Sequence, residues 1–159
     1  MRVIDLGLLL VLAACASAPT GSPAQAAPSA GQAPRVERAW VHAAPAGQFE
    51  TWAFATIVNP GGPDALVAVS SPDASSAVLR AATLTDAGRK MRSVAAIPLP
   101  AHGDLALTVD GYFIAFIEAR HAFVAGQTIT ATLRFASGAT VSAQFTVSES
   151  EGDPRDRGN

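Results

Sequence analysis

Residues 77–117 read AVLRAATLTDAGRKMRSVAAIPLPAHGDLALTVDGYFIAFI, and this stretch decides which fold we expect. Residues 77–83 and 90–94 are strand-like segments that flank an Asp86-Ala87-Gly88 turn, which predicts a β-hairpin. Residues 112–117 are apolar on both faces, which is typical of a strand buried inside a sandwich. The stretch therefore predicts neighbouring strands around a buried centre.

The C-terminal part of the chain strengthens the prediction of a β-protein. Apolar and polar residues alternate over residues 128–135 and again over 140–147, on either side of Ser137-Gly138. Each segment should be a strand with one buried and one solvated face, and we expect the two to pair as an antiparallel hairpin. Further strands are predicted at residues 36–42, 51–58, 66–70 and 104–109, and Pro98 and Pro100 should break the chain. Many short strands separated by turn signals indicate an all-β sandwich or barrel.

The 77–117 stretch also resembles the PCuAC family of periplasmic copper chaperones. That family carries a His, a Met after ten further residues, and a His-x-Met pair after twenty-one more. Counted from Arg80, these gaps lead to Met91, Phe113 and Ala115. The resemblance covers residues 36–147 and implies a Greek-key, cupredoxin-like (immunoglobulin-like) β-sandwich.

The resemblance further implies a copper site that has lost three of its four ligands. Copper(I) favours thioether, thiolate and imidazole donors. Phe113 and Ala115 donate no lone pair, and the guanidinium of Arg80 offers only hydrogen-bond donors and a fixed positive charge. Met91 is the one retained family ligand, although a Met in a strand more often serves packing than metal chemistry. We therefore expect no cofactor, with copper(I) bound at most weakly.

Other residues offer no obvious replacement for the missing ligands. His42, His102 and His121 are the three histidines, and none has a partner at ligand spacing. Convergence of these side chains in space stays open at this stage, because sequence spacing alone cannot exclude it. A weak or partner-completed copper(I) site built on Met91 is therefore kept as an alternative.

Basic residues accumulate on the predicted hairpin. Arg80, Arg89, Lys90 and Arg92 lie on or beside its two strands. If they cluster, they could dock an anionic partner such as a carboxylate, a phosphate or an acidic protein face. The competing interpretation is a solvated hairpin whose charges protect an edge strand from aggregation.

The N-terminal residues predict export and lipidation. An apolar run over residues 8–14, too short to span a bilayer as a mature helix, fits the core of a signal peptide covering residues 1–14. The sequence Leu12-Ala13-Ala14-Cys15 resembles the lipobox of bacterial lipoproteins, which implies acylation of Cys15, the one cysteine in the chain. Residues 15–35 should form a flexible tether, residues 36–148 the folded domain, and residues 149–159 a disordered tail. The predicted location is the periplasmic side of a bacterial membrane, with the lipid as anchor.

Composition and motifs exclude several classes of function. The formal net charge of −2 over 159 residues gives no long-range attraction to nucleic acid. No Ser-His-acid arrangement, paired-carboxylate frame or phosphate-binding loop is recognisable, so we expect no enzyme. The first hypothesis is a lipid-anchored binding or adaptor module, with an envelope protein as candidate partner. A copper chaperone with a weak site and a structural envelope lipoprotein are the alternatives.

Overall fold

The computed structural model describes residues 33–86 and 88–149, and within these ranges the chain forms ten β-strands and no helix. It therefore contains, over the same ranges, no helix able to cross a membrane. The strands are β1 Arg35–His42, β2 Glu50–Asn59, β3 Asp64–Ser70, β4 Ala74–Thr85, β5 Gly88–Ser93, β6 Ile97–Leu99, β7 Gly103–Ala106, β8 Tyr112–Ala119, β9 Thr128–Phe135 and β10 Thr140–Ser148.

The strands are hydrogen-bonded in the order β5-β4-β8-β2-β1-β10-β9-β3-β6, with β7 paired to β2. Strand β1 joins the two halves, since it pairs antiparallel with β2 and parallel with β10. The halves pack face to face: Phe116 of β8 meets Phe145 of β10 edge-on, with ring centroids 6.2 Å apart. The prediction of an all-β sandwich is confirmed.

The main core lies between the two halves and contains the residues that alternation assigned to it. On β9 the inward side chains of Ile129, Ala131, Leu133 and Phe135 are all at most 2% exposed. Strand β10 pairs antiparallel with β9, with Val141 opposite Leu133. The predicted hairpin is confirmed, because a period-two pattern specifies both the strand and its buried face.

Two details near the prolines differ from the prediction. Residues 97–99 form the short edge strand β6 instead of a break, because an edge strand tolerates a proline such as Pro98. Strand β7 ends at Ala106 and does not extend to residue 109. A turn follows it, in which the Gly111 N–H donates a hydrogen bond to the Thr108 carbonyl oxygen. Leu107 consequently joins the main core, whereas Val109 packs against a different cluster.

Most of the predicted domain boundaries fall outside the described residues. The signal peptide (residues 1–14), Cys15, the tether up to residue 32 and the tail from residue 150 lie outside the described residues. Arg35, which was predicted to end the tether, is the first residue of β1.

Candidate functional site

The four positions at the spacing of the PCuAC ligands, which we call the PCuAC frame, lie on one face of the sheet. They are Arg80, Met91, Phe113 and Ala115. Arg80 on β4 is paired with Phe113 on β8, and Ala82 on β4 is paired with Met91 on β5. Residues two apart on a strand face the same way, so Ala115 shares this face with Phe113. We call it the outer face, because the opposite side of β4 and β8 carries Leu79, Ile114 and other residues of the main core.

An aromatic cluster occupies the outer face where the predicted ligand positions on β8 lie. Phe113 and Ala115 are fully buried in it together with Phe54. Trp52 packs on Phe113 with ring centroids 5.3 Å apart, and Trp40 packs on Phe54 at 4.7 Å. These positions are therefore closed by apolar packing.

A β-bulge in β1 supplies the Trp40 side of this cluster. The register between β1 and β2 shifts between Glu37 and Trp40, and Arg38 has a positive φ of 49°. The extra residue reverses the alternation, so that Val41 enters the main core and Trp40 faces outward. The Arg38 guanidinium donates a hydrogen bond to Thr56 Oγ1 at 2.8 Å, which ties the bulge to β2.

Arg80 is held by a carboxylate that sequence reasoning did not select. Its Nη2 lies 2.7 Å from Glu50 Oε2, and the indole N–H of Trp52 donates to Glu50 Oε1 at 2.9 Å. Arg80 Nη1 also donates to Ser93 Oγ at 3.2 Å. The ion pair is largely shielded, with the Arg80 and Glu50 side chains 24% and 19% exposed. The guanidinium therefore has its own counter-ion at the position where the PCuAC frame begins.

Glu50 and Trp52 could have been anticipated from their spacing. Both belong to β2, and residues i and i+2 of a strand project from the same face. The predicted strand began at residue 51, which left Glu50 outside the strand and hid this relationship. The partnership with Arg80 carries no local signal, because it joins strands 30 residues apart in sequence.

The three histidines do not assemble with Met91. His42 packs against Trp40 on β1, four strands away from β5, which is roughly 19 Å at the spacing of neighbouring strands. His102 Nδ1 lies 2.7 Å from the Pro60 carbonyl oxygen, and His121 Nε2 lies 2.9 Å from Asp73 Oδ1. No group of three or more His, Cys, Asp or Glu side chains suited to a metal occurs in residues 33–86 and 88–149.

Met91, whose side chain we expected to serve packing more readily than metal chemistry, is partly exposed to solvent. It lies on β5, where every residue is exposed, and 38% of its surface is accessible. Exposed Leu84 shares the outer face with it, since Leu84 follows Ala82 by two residues on β4. The hairpin of β4 and β5 therefore carries apolar side chains in contact with solvent.

The four basic residues of this hairpin divide between its two faces. Arg80 and Arg89 are on the outer face, and both are paired with carboxylates: Arg89 Nη2 lies 2.5 Å from Asp110 Oδ1. Lys90 and Arg92 project from the opposite face of β5 and form no ion pair within the described part of the chain. The uncompensated positive charge of the hairpin is therefore that of Lys90 and Arg92.

Comparisons with known proteins identify the family. The family model described as "Putative lipoprotein LpqE-like" matches residues 35–147. A curated relative from Leifsonia xyli subsp. xyli, "Putative lipoprotein Lxx21020", is 33% identical over 108 residues. These residues are 67% of this chain, and the chain spans 64% of the length of that relative.

Solved structures of similar shape are PCuAC domains. The apo PCuAC domain from PmoF1 matches with a TM-score of 0.63 and 25% identity, over 74% of this chain and 94% of that domain. The solution structure of CuI-DR1885 from Deinococcus radiodurans matches with a TM-score of 0.58 and 32% identity, over 76% and 83% respectively. The chain therefore belongs to the LpqE-like lipoprotein family, whose name implies a lipid-anchored envelope protein, and it has the β-sandwich fold of the PCuAC copper-chaperone domains.

Proposed function

We propose that this protein is a periplasmic, lipid-anchored binding or adaptor module, in which the copper site of the PCuAC fold has been replaced by an ion pair and an aromatic cluster. The observation that carries the proposal is the shielded contact of Arg80 with Glu50 at the first frame position. A protonated guanidinium repels a metal cation and cannot coordinate it.

The buried frame positions support the same proposal. Phe113 and Ala115 are both 0% exposed, so a metal could reach them only if the aromatic cluster opened. Neither side chain has an atom that coordinates copper(I), which favours sulfur and imidazole donors. Of the side chains at the four frame positions, that of Met91 alone carries an atom that could coordinate copper(I).

A copper(I) competition titration of the full chain against a chromogenic chelator tests this proposal. We expect no transfer of copper(I) from the chelator under conditions in which an intact PCuAC domain acquires it. Retention of one tightly bound copper(I) ion, abolished by Met91→Leu, would contradict the proposal.

The exposure of Met91 favours one alternative, a copper chaperone whose site is completed by a partner. A thioether that is 38% exposed on an edge strand could be offered to donors on another protein. In that case copper(I) should be retained only in the presence of the partner, and Met91→Leu should remove it. We also propose that the protein catalyses no reaction, since the sequence contains no recognisable arrangement of catalytic residues.

A further inference from the structure

Strand β5 has an unpaired edge in the structure. It ends the strand order, so only its β4 side is hydrogen-bonded within the described residues. The other end of the order is β6, which has three residues and contains Pro98. Proline lacks a backbone N–H donor, and a short strand offers few backbone groups for pairing with another chain. Strand β6 is therefore a poor site for the addition of a strand. Strand β5 has six residues and no proline.

The register shows which backbone groups of β5 point outward. The Val94 N–H donates to the Leu79 carbonyl oxygen at 2.9 Å, so this pair is hydrogen-bonded. Bonded and non-bonded pairs alternate along an antiparallel ladder, so Arg92 and Lys90 also bond to β4. The outward-pointing N–H and C=O groups therefore belong to the intervening residues Arg89, Met91 and Ser93.

The side chains along this edge have different chemistry on the two faces. Lys90 and Arg92 project from one face and are unpaired within the described residues, whereas Met91 projects from the other face beside exposed Leu84. An added strand would place its residues in alternation on these two faces. Carboxylates would then meet the two cations, and apolar side chains would meet Met91.

We infer that the β5 edge binds an extended acidic segment of an envelope protein by strand addition, with acidic and apolar residues alternating along that segment. The inference rests on the proposed function and specifies how the binding module engages its partner. Backbone hydrogen bonds would supply affinity, and the alternating side chains would supply specificity. A second copy of this chain is a poor occupant, because two β5 strands would bring Lys90 and Arg92 of each copy close to like charges.

A seven-residue peptide that alternates glutamate with valine is the probe, titrated into the full chain in detergent micelles. In antiparallel addition the valines lie opposite Met91, so their amides face β5 and the glutamate amides face away. We expect methylation of the valine amide nitrogens to weaken binding at least tenfold, and methylation of the glutamate amide nitrogens to have less than a twofold effect. A peptide that alternates lysine with valine should not bind detectably.

Variants of the protein test the same contact from the other side. The double change Lys90→Glu with Arg92→Glu should weaken binding of the glutamate peptide at least tenfold, whereas Arg134→Glu on the exposed face of β9 should change it less than twofold. Met91→Pro removes an outward N–H and leaves the bonds to β4 intact, so it should also weaken binding at least tenfold. Amide exchange should show new protection at Arg89, Met91 and Ser93 when the peptide binds.

Three results would overturn the inference. The first is no binding of the glutamate peptide, and the second is binding unaffected by methylation of either set of amides. The third is protection of the Arg89, Met91 and Ser93 amides in a dimer without peptide, which would assign the edge to a second copy. The copper(I) titration is independent of all three, so failure of strand addition and failure of the proposed function are distinguishable.

Discussion

Arg80 and Glu50 form an ion pair on the outer face of the sheet, with Nη2 and Oε2 separated by 2.7 Å. Glu50 also accepts a hydrogen bond from the Trp52 indole, so one carboxylate links β4 to the aromatic cluster. The pair lies beside a surface groove of about 340 Å³ lined in part by His42, Glu50 and Trp52. The charge at the first frame position is thus compensated within the domain.

The Arg80–Glu50 pair should contribute measurably to stability. In a double-mutant cycle of Arg80→Ala and Glu50→Ala, we expect a coupling free energy of about 1–2 kcal/mol by urea unfolding, since contacting charges couple in this range. The more exposed pair of Arg89 and Asp110 is the control, and its cycle should give less than about 0.5 kcal/mol. Equal coupling in the two cycles would show that shielding of Arg80 has no energetic effect.

Restoring the family ligands should restore copper binding. The combination Arg80→His, Phe113→His and Ala115→Met places three donors on the face that already carries Met91, so copper(I) affinity should rise at least tenfold, or ~1.4 kcal/mol. Making only the changes at positions 113 and 115 should do less, because Arg80 would keep its positive charge near the metal. Competition titration measures both, and equal gains would contradict the role assigned to Arg80.

Anchoring should depend on Cys15. The residue follows an apolar run in a lipobox-like sequence, and the chain belongs to a lipoprotein family. Cys15→Ser should abolish acylation and release the protein into the soluble fraction, as measured by mass spectrometry and fractionation. A Cys15→Ser protein that still carried lipid and sedimented with membranes would refute this assignment.

Phe135 should be a major contributor to the core. It is 1% exposed at the end of β9, and truncation of such a side chain costs ~3–5 kcal/mol through lost burial and a cavity. Phe135→Ala should show this loss in urea unfolding, whereas Arg134→Ala on the exposed face should change stability by less than about 0.5 kcal/mol. A loss under about 1 kcal/mol for Phe135→Ala would be inconsistent with the buried position.

Stability should depend on pH through His121. Its Nε2 lies 2.9 Å from Asp73 Oδ1, and this hydrogen bond raises the pKa of His121 above the ordinary 6.5. A raised pKa in the folded state stabilises the fold below the unfolded-state pKa, and the stabilisation is lost as pH rises through the folded-state pKa.

Urea unfolding measured from below pH 6.5 to above the raised pKa of His121 should therefore show the unfolding midpoint falling as His121 loses its proton. His121→Gln should flatten the dependence and leave Asp73 to accept its other bonds from Ser71 and the Thr130 N–H. An unchanged pH dependence in His121→Gln would exclude His121 as its source.

The sequence by itself determined most of the strands, and the resemblance to the PCuAC family located the four frame positions. Strict alternation over residues 128–135 and 140–147 predicted β9 and β10 with their buried faces, because side chains of a strand alternate with period two. The gaps counted from Arg80 identified Met91, Phe113 and Ala115 as the other positions of the frame. In the structure, all four positions lie on one face of the sheet. The strand pattern is a property of local geometry, which a local pattern can encode, whereas the shared face of the four positions depends on the pairing of β4, β5 and β8.

Only the tertiary structure decided what surrounds those positions. The partnership of Glu50 with Arg80 depends on β2, β8 and β4 lying side by side, and no residue near either one signals it. The bulge at Arg38 reverses the faces of β1 and sends Trp40 to the outer cluster, which an expected regular strand could not reveal. The exposed edge of β5 is likewise a consequence of strand order, because pairing between strands far apart in sequence is set by the packing of the whole sandwich.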